Sequence, residues 1–138
     1  MKVMVDTNIL VDIALARQPF SKSSIETWTR IAELGDPPFF APHSLATFYY
    51  LVKQAHDNTR AIQAVDDLLL TGQTADFPAE AMTAARELAF SDFEDAMVVS
   101  AAIYNNCDRL VTCNPKDFDA SPLPVQTPDD FLSGLEGS

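Results

Sequence analysis

Short apolar runs alternate with stretches of helical periodicity along the whole chain, and this alternation restricts the fold more than any other feature. Residues 2–6, KVMVD, read as a short buried strand that ends in a carboxylate. Thr7 or Asn8 can cap a helix through ILVDIALA, which is apolar nearly all round. A second helix covers about 21–34, with Ile25, Trp28 and Ile31 three apart, and Gly35-Asp36-Pro37-Pro38 stops it. Residues 39–41 form the second strand, closed by Pro42. Helical spacing returns from Ser44 in Leu45, Phe48, Tyr49 and Val52, and from Asn58 in Ile62, Val65, Leu68 and Leu69, up to Gly72. Residues 73–77 make a weak strand, and Pro78 suits the first helical position before AEAMTAARELA. Ser91-Asp92-Phe93-Glu94 has the capping-box pattern, Ser91 capping the backbone and Glu94 reaching back, ahead of an apolar helix. Residues 109–112 and 124–126 are strands, and Thr127-Pro128-Asp129-Asp130 opens a last short helix. Such alternation predicts an α/β fold, a central parallel sheet of four to five strands flanked by helices, in one domain over residues 1–138.

Composition narrows the function. With 47% hydrophobic and 21% charged residues the chain can bury a core, so wholesale disorder is excluded. No apolar run is long enough to span a bilayer, and Asp6 interrupts the stretch a signal peptide would need, so a cytoplasmic protein without a membrane partner is expected. Cys107 and Cys113 lack metal-ligand spacing and read as small apolar fillers. Twenty acids against nine bases give a net charge of −11, which repels polyanions at long range. A nucleic-acid enzyme of this composition needs a local basic patch, a bound cation or a basic partner.

Ligands of open parallel sheets bind at the carboxyl ends of the strands. Asp6 closes the first strand, Asp95 lies in the first turn of the helix after Ser91, and Asp117 follows the RLVT strand. Hard divalent cations choose such oxygens, and Mg²⁺ keeps several waters beside one or two carboxylates. Each residue also has a purely structural role open to it. An Asp after a strand or in a first helical turn is often a cap or dipole partner, and Asp117 alone suits a surface loop. For Asp6 the two roles weigh about equally; Asp95 is freer to bind metal because Ser91 and Glu94 serve the cap. Asp92 shares a helix face with Asp95 and is a weaker candidate.

VDTNILVD, followed far downstream by DFEDAMVVSAAIYNNCDRLVTCNPKDF, resembles the PIN domain, especially the VapC-like toxins of bacterial toxin–antitoxin pairs. The resemblance extends through the closing PVQTPDDFL and implies a PIN-like three-layer sandwich with Mg²⁺- or Mn²⁺-dependent ribonuclease activity. It makes Asp6, Asp95 and Asp117 the catalytic acids, Asp6 and Asp95 the metal ligands, and Asn8, Thr112 and Asn114 their polar supports. An RNA substrate, an antitoxin protein and a homodimeric assembly come with it. Two departures stand out. The Glu usual in the helix after the second strand is absent from SLATFYYLV, where Tyr50 is the best match, and the inner loop acid is Asn114. Both losses favour one metal over two.

Bases near these positions are sparse. Lys53 and Arg60 follow the Tyr49-Tyr50 pair, and Lys116 borders the acidic loop. Phe48 and Tyr49 lie on the apolar stripe and belong to the core, whereas Tyr50 and Lys53 share the other face and are candidate substrate contacts. His43 and His56 read as surface or capping residues. The expected function is RNA hydrolysis as a toxin; the alternative is a catalytically degenerate PIN-like module that binds RNA or protein. Phosphotransfer through an Asp nucleophile is disfavoured, because Asn8 stands where a second acid belongs and paired early acids are lacking.

Overall fold

The computed structural model describes residues 1–136. Among these, five strands pair in parallel: β1 (Val3–Val5), β2 (Phe39–Phe40), β3 (Gln73–Thr74), β4 (Arg109–Val111) and β5 (Val125–Gln126), in the order β3-β2-β1-β4-β5. Seven α-helices intervene: α1 (Thr7–Leu15), α2 (Ser21–Glu33), α3 (Pro42–Ala55), α4 (Asn58–Thr71), α5 (Ala79–Glu87), α6 (Phe93–Tyr104) and α7 (Pro128–Glu136). A short 3-10 helix, Pro115–Phe118, follows β4. The expected sandwich of helices on a parallel sheet is the observed one.

The strand period of two sorts the core into two halves. Val3 and Val5 of β1, Phe40 and Val111 point to one face, where Ile9, Leu10, Ile31, Phe48, Val52, Leu68 and Phe131 cover them. Met4, Phe39 and Leu110 point to the other, under Val98, Val99, Ala101 and Ala102 of α6 and Phe118. Register keeps the alternation coherent, with Met4 opposite both Phe39 and Leu110 and Val5 opposite Val111. Each large apolar side chain so buried contributes about 1.5–3 kcal/mol. The small residues of α6 let it approach β1 and β4 closely, and α5 packs behind it, where the Ser100 hydroxyl donates to the Ala81 carbonyl at 2.6 Å.

Several boundaries differ from the sequence expectation, each for a local reason. Pro42 opens α3 instead of merely closing the second strand; its fixed φ and missing N–H suit a first helical position. Pro78 sits one residue before its helix, as the cap of α5. The weak strand at 73–77 shortens to Gln73–Thr74. The cap of α1 is Asp6, not Thr7 or Asn8: its extended backbone (φ −74°, ψ 158°) lets the carboxylate accept the Thr7 N–H. The cap of α6 is Asp92, not Ser91, and accepts the N–H groups of Glu94 and Asp95 at 2.8 and 3.3 Å. The capping-box pattern was therefore displaced by one residue, because Asp accepts as readily as Ser and stood next in line.

Successive strands leave β1 in one direction through β2 and β3, then resume on its other side with β4 and β5. The order reverses between β1 and β4, so the crevice beyond their carboxyl ends is the switch point of the sheet.

Candidate active site

Asp6 leaves β1 at this crevice and is 6% exposed. Its backbone N–H extends the sheet by donating to the Val111 carbonyl at 3.0 Å. One carboxylate oxygen accepts the Thr7 N–H and the other the Thr112 hydroxyl, both at 2.8 Å. Thr112, fully buried at the end of β4, also receives the Asn114 N–H at 3.2 Å and the Asn8 amide at 3.4 Å. Asn8 in turn accepts the Cys113 N–H at 3.3 Å, clipping the first turn of α1 to the end of β4. Thr112, immediately after β4, thus bonds one Asp6 oxygen directly, while Asn8, in the first turn of α1, reaches that carboxylate only through Thr112.

Asp95 enters from the opposite side, in the first turn of α6. With Asp6 it lines a cavity of about 210 Å³, together with Thr7, Asn8, Arg17, His43, Thr47 and Glu94. Burial, then the charge of Asp6, then those of Asp92, Asp117 and Glu94, push the Asp95 carboxyl up to about 7. Burial also raises Asp6, against the Thr112 and Thr7 hydrogen bonds that favour its charged form. Two carboxyls held together in a low-dielectric crevice share a cost that a cation would remove.

The remaining expected site residues fall at graded distances. Asp117, on the 3-10 helix, is exposed and outside the cavity wall, yet its charge is felt by both Asp6 and Asp95. Asn114 contributes backbone, donating to Thr112 and accepting the Asp117 N–H at 3.1 Å. Asp92 is committed to the α6 cap. Tyr50 is 59% exposed and does not line the cavity, contrary to its assignment to the missing Glu position. Thr47 stands there instead, with His43 and Leu51 a turn to either side. The apolar stripe correctly separated Tyr50 from the core, but being off that stripe leaves more than one direction open. Lys53 likewise lies away from the cavity, its ammonium 5.9 Å from the Tyr49 ring.

His43, Thr47 and Arg17 were missed in the sequence. The Nε2–H of His43 donates to the Glu94 carbonyl at 3.1 Å, tying α3 to the start of α6, and leaves Nδ1 buried without a partner among the described residues. Burial lowers the pKa of this ring below the ordinary value, so it bridges as a neutral group. Its signal was positional: it follows β2 by three residues and so belongs to the same carboxyl edge as Asp6.

A family model described as PIN domain matches residues 2–116. VapBC2 from Rickettsia felis, bound to a DNA fragment from its promoter, is similar in structure, with a TM-score of 0.74, 24% identity, and coverage of 92% of this chain and 98% of that one. A toxin–antitoxin complex from Klebsiella pneumoniae gives 0.69 and 24%, with the same coverage. VapC20 of Mycobacterium tuberculosis, a sarcin-ricin loop cleaving toxin, gives 0.64 and 16%, covering 79% of this chain and 87% of that one. No curated protein sequence matches the chain.

Proposed function

The chain belongs to the PIN domain family, and on that premise we propose that it is a metal-dependent endoribonuclease, the toxin of a toxin–antitoxin pair. The observation that carries this reading is the meeting of Asp6 and Asp95 in one crevice at the sheet's switch point, with both carboxyls pushed up by burial and Asp95 further by neighbouring charge. Similarity to a loop-cleaving toxin and to a toxin–antitoxin complex points the same way.

Among the described residues no three His, Cys, Asp or Glu groups gather closely enough to enclose an ion by themselves. Two carboxylates suit one Mg²⁺ or Mn²⁺ that keeps most of its waters, and not a closed protein cage or a metal pair. Asp6 and Asp95 would hold it, with Asp117 adding long-range negative charge. When bound, such an ion lowers the pKa of water and stabilises charge developing on a phosphoryl oxygen. The chain's own part is orientation. Thr112 and Thr7 aim the Asp6 carboxylate, the Asp92 cap fixes the first turn that carries Asp95, and His43 holds α3 against that turn. Until a cation arrives, Asp95 keeps its proton to about pH 7.

Expected partners are RNA, a basic antitoxin surface suited to a chain of −11, and a second copy of the chain. A second reading, a degenerate PIN domain that only binds, is favoured by Thr47, which brings no carboxylate to the cavity wall. Incubating a mixed RNA pool with the protein in Mg²⁺ or Mn²⁺, beside an Asp6→Asn control, separates the two. Cleavage by the parent alone supports the nuclease; equal inactivity with retained RNA binding supports the module.

A further inference from the structure

An anion entering this crevice meets the carboxyl groups of Asp6, Glu94 and Asp95. Among the described residues, Arg17 is the only Lys or Arg lining the cavity. Lys53, Arg60 and Lys116 do not line it: Lys53 sits over the Tyr49 ring, and Lys116 borders a separate depression beside Pro115 and Asp119.

Arg17 is held from its own backbone. Ala16 before it takes a left-handed conformation (φ 51°), the Arg17 N–H donates to the Asp12 carbonyl at 3.1 Å, and its carbonyl accepts the Ser21 N–H at 2.7 Å. Its side chain is 49% exposed, whereas the Asp12 carboxylate opposite is 5% exposed, and the two approach only to 4.0 Å. That separation is an ion pair too long to be a hydrogen bond. The other Asp12 oxygen accepts the Cys113 thiol at 3.2 Å. A buried acid thus lies near the guanidinium without taking a hydrogen bond from its fork of N–H donors, the geometry that matches phosphate oxygens.

We infer that Arg17 is the residue through which the cavity takes hold of RNA, its guanidinium donating to non-bridging oxygens of a backbone phosphate while Asp12 steadies it from behind. The inference rests on the nuclease reading for the identity of the anion. It also answers how a strongly acidic chain admits a polyanion: one oriented cation at the rim offsets repulsion where the strand enters.

The test is fluorescence anisotropy with a short labelled single-stranded RNA, using full-length protein carrying Asp6→Asn so that the probe stays intact. Adding Arg17→Ala should weaken binding about tenfold, the loss of a charge-assisted contact at a half-exposed site. The slope of log affinity against log salt should fall by about 0.7, one phosphate contact on a single strand. Arg17→Lys should restore the slope but only part of the affinity, because a point charge replaces a fork. Melting curves of each variant should stay close to that of the background. Equal affinity and slope with and without Arg17 would overturn the inference, as would failure of the Arg17-intact protein to bind RNA. Parent cleavage assays fail or succeed independently. A protein that binds RNA through Arg17 without cutting it keeps this assignment and loses only the nuclease.

Discussion

Substituting Thr47 and Tyr50 separately by Glu discriminates the wall of the cavity from the surface beside it. Both lie on α3, but Thr47 lines the cavity and Tyr50 is 59% exposed. Tyr50 is only about 60° around the helix from Thr47, but its side chain meets solvent while Thr47 and Leu51 line the crevice. Thr47→Glu places a third carboxylate beside Asp6 and Asp95; Tyr50→Glu adds a charge to solvent. More negative oxygen donors tighten a hard-cation site, and a tenfold gain in affinity adds about 1.4 kcal/mol of stability at saturating metal. At about 2.1 cal/mol/K per residue, 138 residues carry roughly 0.29 kcal/mol/K, so the Mn²⁺-induced rise in Tm should grow by about 5 °C. The metal-free Thr47→Glu protein should melt below the parent, since a third acid enters a crevice where two carboxyls are already pushed up. Differential scanning fluorimetry across a Mn²⁺ titration measures both effects. Equal Mn²⁺ shifts in Thr47→Glu and the parent, or a Tyr50→Glu shift that matches Thr47→Glu, would refute the placement of α3 against the site.

Three further outcomes follow from the hydrogen bonds and charges around the two carboxylates. Asp92→Ala removes the α6 cap and should cost about 0.5–2 kcal/mol in urea unfolding, whereas Ser91→Ala should stay within about 0.5 kcal/mol; the reverse order would return the cap to Ser91. Thr112→Val keeps the shape but leaves an Asp6 oxygen without its donor, which should lower the unfolding free energy by about 1–3 kcal/mol; an unchanged urea midpoint would mean that Thr112 does not support Asp6. Asp95, raised from 3.8 to about 7, binds its proton more tightly folded than unfolded, so its contribution to metal-free stability is present at low pH and fades as pH rises through about 7. Subtracting the Asp95→Asn melting profile from the parent's should show that fall between about pH 4 and 7, and a rise over the same window would contradict the assigned direction.

The strands and helices, their alternation and the parallel sandwich were legible in the residues, because side-chain period and chain breakers act locally. So was the demand of Asp6 for hydrogen-bond donors, since a carboxylate directly after KVMV is carried to the edge of the core. What the linear order could not decide was which polar groups become those donors. Thr112 lies 106 residues from Asp6 and reaches it only because β1 and β4 are neighbours. Cap choice at α6 turned on one residue's backbone geometry, which a pattern satisfied equally by Ser91 and Asp92 does not contain. The inward residue of α3 was decided by how that helix lies across the sheet: periodicity marks the face that meets the core, and the cavity is met by a different stripe, His43, Thr47 and Leu51. Arg17 was the hardest to foresee. No local rule gives a base in a turn any direction; the cavity wall that it lines, near the buried Asp12, forms only once the chain is folded.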